Sequence, residues 1–203
     1  MFQPQPAGRP SATGRADRPG RDEGTSMAMT MTGEATLPAG RPEVWALLND
    51  PAVLKACIPG CQSLERTGDN GFAAVVKTKI GPVAATFKGK VELSDIVPEV
   101  GYTISGEGEG GVAGFAKGAA KVSLADAADG TLLKYDVEAH VGGKLAQLGS
   151  RLIDGVAKGM ADKFFATFAE AAAAHAAPVA AREAPKRKSW LRRIWEWFMS
   201  LWR

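Results

Sequence analysis

The sequence predicts an α+β domain in which a curved antiparallel sheet of about seven strands wraps around one long C-terminal helix. Three observations carry that expectation. Leu145, Leu148, Leu152, Val156 and Met160 recur at helical spacing with no proline before Pro178, which predicts one amphipathic helix over residues 143–174. Ala85, Phe87, Gly89, Val91 and Leu93 alternate with Thr86, Lys88, Lys90 and Glu92, the period of a strand with one buried and one wet face. Between the first strand and the meander, proline and aspartate signals bracket two short helices.

Residues 29–37 alternate weakly and read as the first strand, followed by a turn at Pro38-Ala39-Gly40. Arg41-Pro42-Glu43 opens a helix, with Pro42 near its first position. Val44, Leu47 and Leu48 form its apolar stripe, and Trp45 lies beside it. Asn49-Asp50-Pro51 breaks that helix, and Asp50 is placed to cap a second one through Lys55. Residues 63–66 make a short strand, and Gly68-Asp69-Asn70-Gly71 a hairpin turn. Phe72, Ala74, Val76, Thr78 and Ile80 then share a face, with Lys77 and Lys79 opposite. After the turn at Gly81-Pro82 comes the alternating strand, and after residues 98–101 another strand that starts at Tyr102 and is expected to dissolve into GEGEGG. Residues 115–124 and 132–141 are the last two strands, joined at Asp129-Gly130.

Small residues recur at the inward positions. Gly89, Gly106, Gly108, Gly114, Gly118 and Ala120 stand where a filled core would hold Leu or Ile, and Gly149, Gly155 and Gly159 fall in the helix. Each helical glycine costs up to ~1 kcal/mol relative to alanine. Two explanations stay open at this point: close packing of helix on sheet, and an apolar cavity between them.

The 203 residues carry a formal charge of +3, unevenly placed. Residues 27–175 hold 14 basic and 17 acidic groups, whereas residues 176–203 hold seven basic groups against Glu183 and Glu196. The basic balance belongs to the tail, so no nucleic-acid partner is expected. Residues 1–26 are rich in Pro, Gly, Arg and Ser and read as a disordered extension, with Met27 a plausible natural start. The N-terminus lacks the apolar core of a secretory peptide, which points to a cytoplasmic protein with Cys57 and Cys61 as free thiols.

Sequence motifs for chemistry are few. Cys57 and Cys61 are half a metal site at most, and no His or Cys pair elsewhere completes it, so no metal is expected. The run 106–111 matches G-x-G-x-x-G, but no helix opens after it, and Glu107 and Glu109 would repel a pyrophosphate. His140 has no evident acid–base partner, and there is no nucleophile elbow. No catalytic residue is assigned.

Several strings together carry a family resemblance. They are Val44-Trp45 with Leu48 and Asn49-Asp50-Pro51, then Leu54 leading to Cys57-Ile58-Pro59-Gly60-Cys61. Phe87 with Gly89, Gly106 with Gly108, and Gly142-Gly143-Lys144-Leu145 with Leu148-Gly149 and Arg151-Leu152-Ile153 complete the set. Residues 29–174 thereby resemble the CoxG family, named for the G subunit of carbon monoxide dehydrogenase, within the START-like (SRPBCC) superfamily of helix-grip proteins. The resemblance implies a non-catalytic helper that recruits a molybdenum CO dehydrogenase-type oxidoreductase to the cytoplasmic membrane. It also implies a cavity for a quinone or lipid, with menaquinone or ubiquinone as the carried ligand and no covalently bound cofactor. Expected lining residues are Trp45, Val76, Phe87, Tyr102, Phe115, Leu148, Leu152 and Met160. The rival is an enzyme of the same superfamily, a cyclase or dehydratase acting on a polyketide- or steroid-like substrate, which would need a polar acid–base pair in the cavity. A third possibility is an interaction module whose interior is filled by side chains.

Residues 176–188 read as an Ala/Pro-rich linker that reaches at most ~45 Å when extended. Residues 189–203 have the pattern of an amphipathic helix. Trp190, Leu191, Ile194, Trp195, Trp197, Phe198, Leu201 and Trp202 share one broad face, and Arg192, Arg193, Glu196, Ser200 and Arg203 the other. Fourteen helical residues span only ~21 Å, short of the ~30 Å hydrocarbon core, so the segment suits the interface rather than a crossing. With Lys186, Arg187 and Lys188 it supplies six cations, each worth ~1 kcal/mol near an anionic surface. The sequence therefore predicts peripheral attachment to the inner face of the cell membrane. Deleting residues 186–203 is expected to leave a folded protein that no longer sediments with anionic vesicles; sedimentation unchanged by the deletion contradicts the tether.

Overall fold

The computed structural model describes residues 26–180, with side chains through Ala176. The N-terminal extension, the linker beyond Ala180 and the tryptophan-rich segment 189–203 lie outside the described residues. Strand β1 (Ser26–Leu37) leads into helices α1 (Arg41–Leu48) and α2 (Pro51–Cys57). Six strands follow: β2 (Cys61–Arg66), β3 (Gly71–Ile80), β4 (Val83–Val97), β5 (Gly101–Glu109), β6 (Phe115–Ala127) and β7 (Gly130–Gly142). The last described element is α3 (Ser150–Ala180). All seven strands form one antiparallel sheet in the order β1-β7-β6-β5-β4-β3-β2, so β2 to β7 meander and β1 joins at the β7 edge. The curved sheet holds α3 against its inner face, the helix-grip arrangement expected from the sequence.

Alternation decides which face is inner. On β4, Phe87, Gly89, Val91 and Leu93 are sheltered, while Lys88, Lys90 and Glu92 are exposed. The short helices follow their local signals. Asp50 Oδ1 accepts from Ala52 N–H at 2.8 Å and caps α2, and Asn49 Nδ2 donates to Trp45 O at 2.8 Å. The CIPGC string is a packing device. Gly60 takes φ +77°, and a Cβ there would collide with Lys77 O. The same close approach lets Lys77 N–H donate to Gly60 O at 2.9 Å, which ties the end of α2 to β3. Cys57 and Cys61 are free, with burial raising both thiol pKa values.

Four expectations are corrected. The long helix begins at Ser150, not at 143: Gly149 sits at φ +84°, and residues 146–148 make a separate 3-10 turn. Leu145 and Leu148 therefore lie outside the helix, and within it the inward stripe runs Ile153, Val156, Ala157, Met160, Phe164, Phe168 and Ala172. The helix also continues through the alanine run and Pro178 to Ala180, into the segment read as linker. Strand β5 does not dissolve at its glycines but stays paired through Glu109. Gly106 is required where it stands, because a Cβ would lie 2.6 Å from Val91 Cγ1 and 2.9 Å from Lys90 O. Gly114 lies in the β5–β6 connection rather than on an inward strand position.

The core is in two pieces. The larger gathers α1, Leu37, Phe72, Leu133 and the second half of α3, where Phe168 and Ala172 are wholly buried. Tyr135 stacks on Phe165 at 5.2 Å, and Phe164 stacks on Phe168 at 5.7 Å. The smaller piece packs Ile153 with Val141 and Leu145 at the start of α3. The sheet between the two pieces is paved with glycine and alanine.

Candidate functional site

The paving leaves space. An apolar cavity of about 340 Å³ lies between the first half of α3 and the inner face of the sheet. From the sheet it is lined by Met29, Val76, Thr78, Ile80, Phe87, Gly108, Ala116 and Val141. Ile153, Val156, Ala157 and Met160 of α3 form the facing wall, with Leu145 just before the 3-10 turn and Ile58 just after α2. Thr78 is the one polar side chain in the lining. A second hollow, about 300 Å³, continues over Gly106 and Gly118 beneath Val91, Ile104 and Ala120. The volume falls near the low end of the ~300–1,000 Å³ typical of ligand pockets.

The glycines are the physical cause. At Gly108 a Cβ would meet nothing closer than Gly89 Cα at 3.8 Å, so this position has room that no side chain uses. Gly118 is different: a Cβ would press on Glu138 O and Ala139, so strand pairing itself requires glycine. Both explanations left open by the sequence hold, at different positions.

The eight expected lining residues separate. Val76, Phe87 and Met160 line the cavity. Trp45 and Tyr102 do not; they meet edge-on at 5.5 Å in the larger core cluster. Leu148 packs on the Val141–Leu145–Ile153 cluster beside the cavity. Phe115 points to the outer face, because its strand phase opposes that of Ala116. Leu152 lies outside against the β3–β4 turn near Gly81, one residue and about 100° round the helix from the inward Ile153. The other eleven lining residues were not in the expected set, Ile58, Leu145 and Ile153 among them. Ile153 follows from the correct helical phase, whereas Ile58 and Leu145 sit in irregular segments that no period describes.

Among the described residues no acid–base pair lines the cavity. Tyr102, the nearest thing to a proton donor expected there, is buried in the core, and desolvation pushes its pKa up to about 12. Among the described residues no cluster of His, Cys, Asp and Glu is placed to hold a metal ion. A wider hollow of about 960 Å³ lies on the outer face of the sheet. Lys90, Glu107, Lys117 and His140 line it as a cross-strand row, with Ser105 and Glu138 beside them, and its openness to solvent sets it apart from the apolar interior.

The family model for CoxG, the G subunit of carbon monoxide dehydrogenase, matches residues 33–173, the span that builds sheet, cavity and helix. The chain belongs to the CoxG family. CoxG membership agrees with the solved structures. A conserved protein from Geobacillus kaustophilus is 35% identical, with 71% of this chain and 95% of that one covered and a TM-score of 0.68. A protein from Rhizobium leguminosarum shares the fold at 15% identity, over 70% of this chain and 95% of that one, with a TM-score of 0.55. The Zhui aromatase/cyclase from Streptomyces sp. R1128 shares it at 10% identity, over 72% and 94%, with a TM-score of 0.51. The last two likenesses establish the START-like helix-grip fold alone. Among curated proteins, none matches the sequence significantly.

Tyr102 gives a pH test of this placement. Its folded pKa lies above the ordinary value of 10, so its contribution to stability is complete below pH 10 and is lost as pH rises toward 12. Tyrosinate absorbance should show a late component near pH 12 that Tyr102→Phe removes, with the wild-type fold weakening across that window; ionisation of Tyr102 near pH 10 contradicts its burial.

Proposed function

We propose that this CoxG-family domain is a non-catalytic carrier of an apolar ligand, a quinone or lipid, held in the cavity between α3 and the sheet. The observation that carries this is the lining: apolar or glycine at every position but Thr78, in an interior that small residues leave unfilled. CoxG membership supports carbon monoxide dehydrogenase as the kind of partner, which we read as a molybdenum oxidoreductase of that type. A menaquinone- or ubiquinone-type ligand suits an enzyme that passes electrons to the membrane, and the domain would carry it between the two. The sequence of residues 186–203 supports attachment to the inner leaflet, because its tryptophans and cations suit an anionic interface. Among the described residues no helix is long and apolar enough to cross a membrane.

The cyclase alternative rests on the fold it shares with the Streptomyces aromatase/cyclase. It asks for groups that hold or move a proton at the substrate, and one threonine hydroxyl does not supply an acid–base pair.

Gly108→Leu tests the carrier function, because its side chain would grow into the cavity without a clash at Cβ. A short-tailed naphthoquinone, measured by equilibrium dialysis, is expected to bind the wild type and to lose at least about tenfold in affinity to Gly108→Leu, or ~1.4 kcal/mol. Equal binding by the two proteins would place the ligand elsewhere, and no binding by either would remove quinone from the proposal.

A further inference from the structure

We propose that the end of the sheet where α3 begins is a docking surface for anionic lipid, through which the cavity faces the bilayer. The charges of the domain are separated along its axis. At this end the register sets Lys88 against Glu109 and Lys90 against Glu107. Lys77, Lys79, Lys117, Lys144 and Arg151 then outnumber Asp154 and Glu138, the acids beside them. All five are exposed, and among the described residues none of Lys79, Lys144 and Arg151 forms an ion pair. The far end is acidic: Glu43, Asp69, Asp95 and Asp129 outnumber Arg66, while Arg41 is held by Asp126 at 2.6 Å. A domain that is net acidic overall thus presents one basic end.

Val112, on the β5–β6 connection, is 86% exposed, and Leu152 at the start of α3 is 38% exposed; the far end also exposes Val97 and Val100, but there among acids rather than cations. Pro82 on the β3–β4 turn is exposed beside Leu152 and Gly81. These three segments converge at the end of the sheet that holds the cavity residues Ile80, Phe87 and Ile153. Protruding aliphatic residues set among unpaired lysine and arginine match a headgroup layer, where the aliphatics insert and the cations meet phosphate. The surface is argued from charge and shape alone; its use in loading the cavity rests on the carrier function proposed above. Binding of quinone is read by a different measurement, so the two stand or fall separately.

The experiment uses the full chain with Cys61→Ser, Cys57 being buried. An environment-sensitive dye is attached at Val112→Cys, or at Asp129→Cys on the far end, and the protein is mixed with phosphatidylglycerol-containing vesicles. The dye at 112 is expected to shift to the blue and brighten, while the dye at 129 stays unchanged. The combined variant Lys79→Glu, Lys144→Glu, Arg151→Glu should lose the response at 112, as should the unreversed protein in high salt, where screening shortens to ~3 Å at 1 M. No shift at 112, an equal shift at both sites, or a shift indifferent to both charge reversal and salt overturns the proposal. The first of these outcomes leaves the basic end to an acidic protein partner.

Discussion

The structure depends on how α3 is held against the sheet. Two clamps grip it. Phe164, Phe165 and Phe168 lock its second half onto Tyr135, Leu133 and the two short helices, while Ile153 fixes its first turns to Val141 and Leu145. Protein interiors are ordinarily packed as densely as organic crystals. Here the clamps set the height of the helix, and Gly106, Gly108, Gly118 and Ala120 opposite are too small to reach it. The hollow is therefore built by the frame around it. Filling it would take larger side chains, and at Gly106 and Gly118 strand pairing forbids them.

The two faces of the sheet do separate work. The inner face supplies the apolar walls of the cavity, with Thr78 the one polar side chain among the described residues that line it. The outer face is a lattice of alternating charge, with Lys90, Glu107 and Lys117 consecutive across three strands and Lys134 near Glu34 at 3.8 Å. Such exposed pairs contribute little to stability, in general ~0–1 kcal/mol each. Their larger effect is to keep a curved sheet soluble and to leave its unbalanced charge at one end.

How much of this was legible in the sequence depended on periodicity. The meander was readable because Phe72 to Ile80 and Ala85 to Leu93 keep a strict period of two, and the helices because Asp50, Pro42 and Pro51 mark their starts. The strand rule also placed Val76 and Phe87 on the cavity wall. Leu152 lies outside the cavity because a spacing of four drifts about 40° per step on a helix of about 3.6 residues per turn, which leaves Leu152 at the edge of the stripe that Ile153, Ala157, Met160 and Phe164 centre. Trp45 and Tyr102 failed because large side chains suit a packed core as well as a cavity, and position along the axis decides between the two. The anchoring role of Phe164, Phe165 and Phe168 was written at i, i+1 and i+4, but the space they leave free elsewhere emerges only in three dimensions.

The central claim is that the glycine-paved interior holds an apolar guest. Native mass spectrometry of the protein purified from its own cells tests it most directly. A non-covalent adduct that organic solvent releases as a quinone or lipid is the predicted result. A bare chain at every charge state, in protein that also takes up no added quinone, would contradict it.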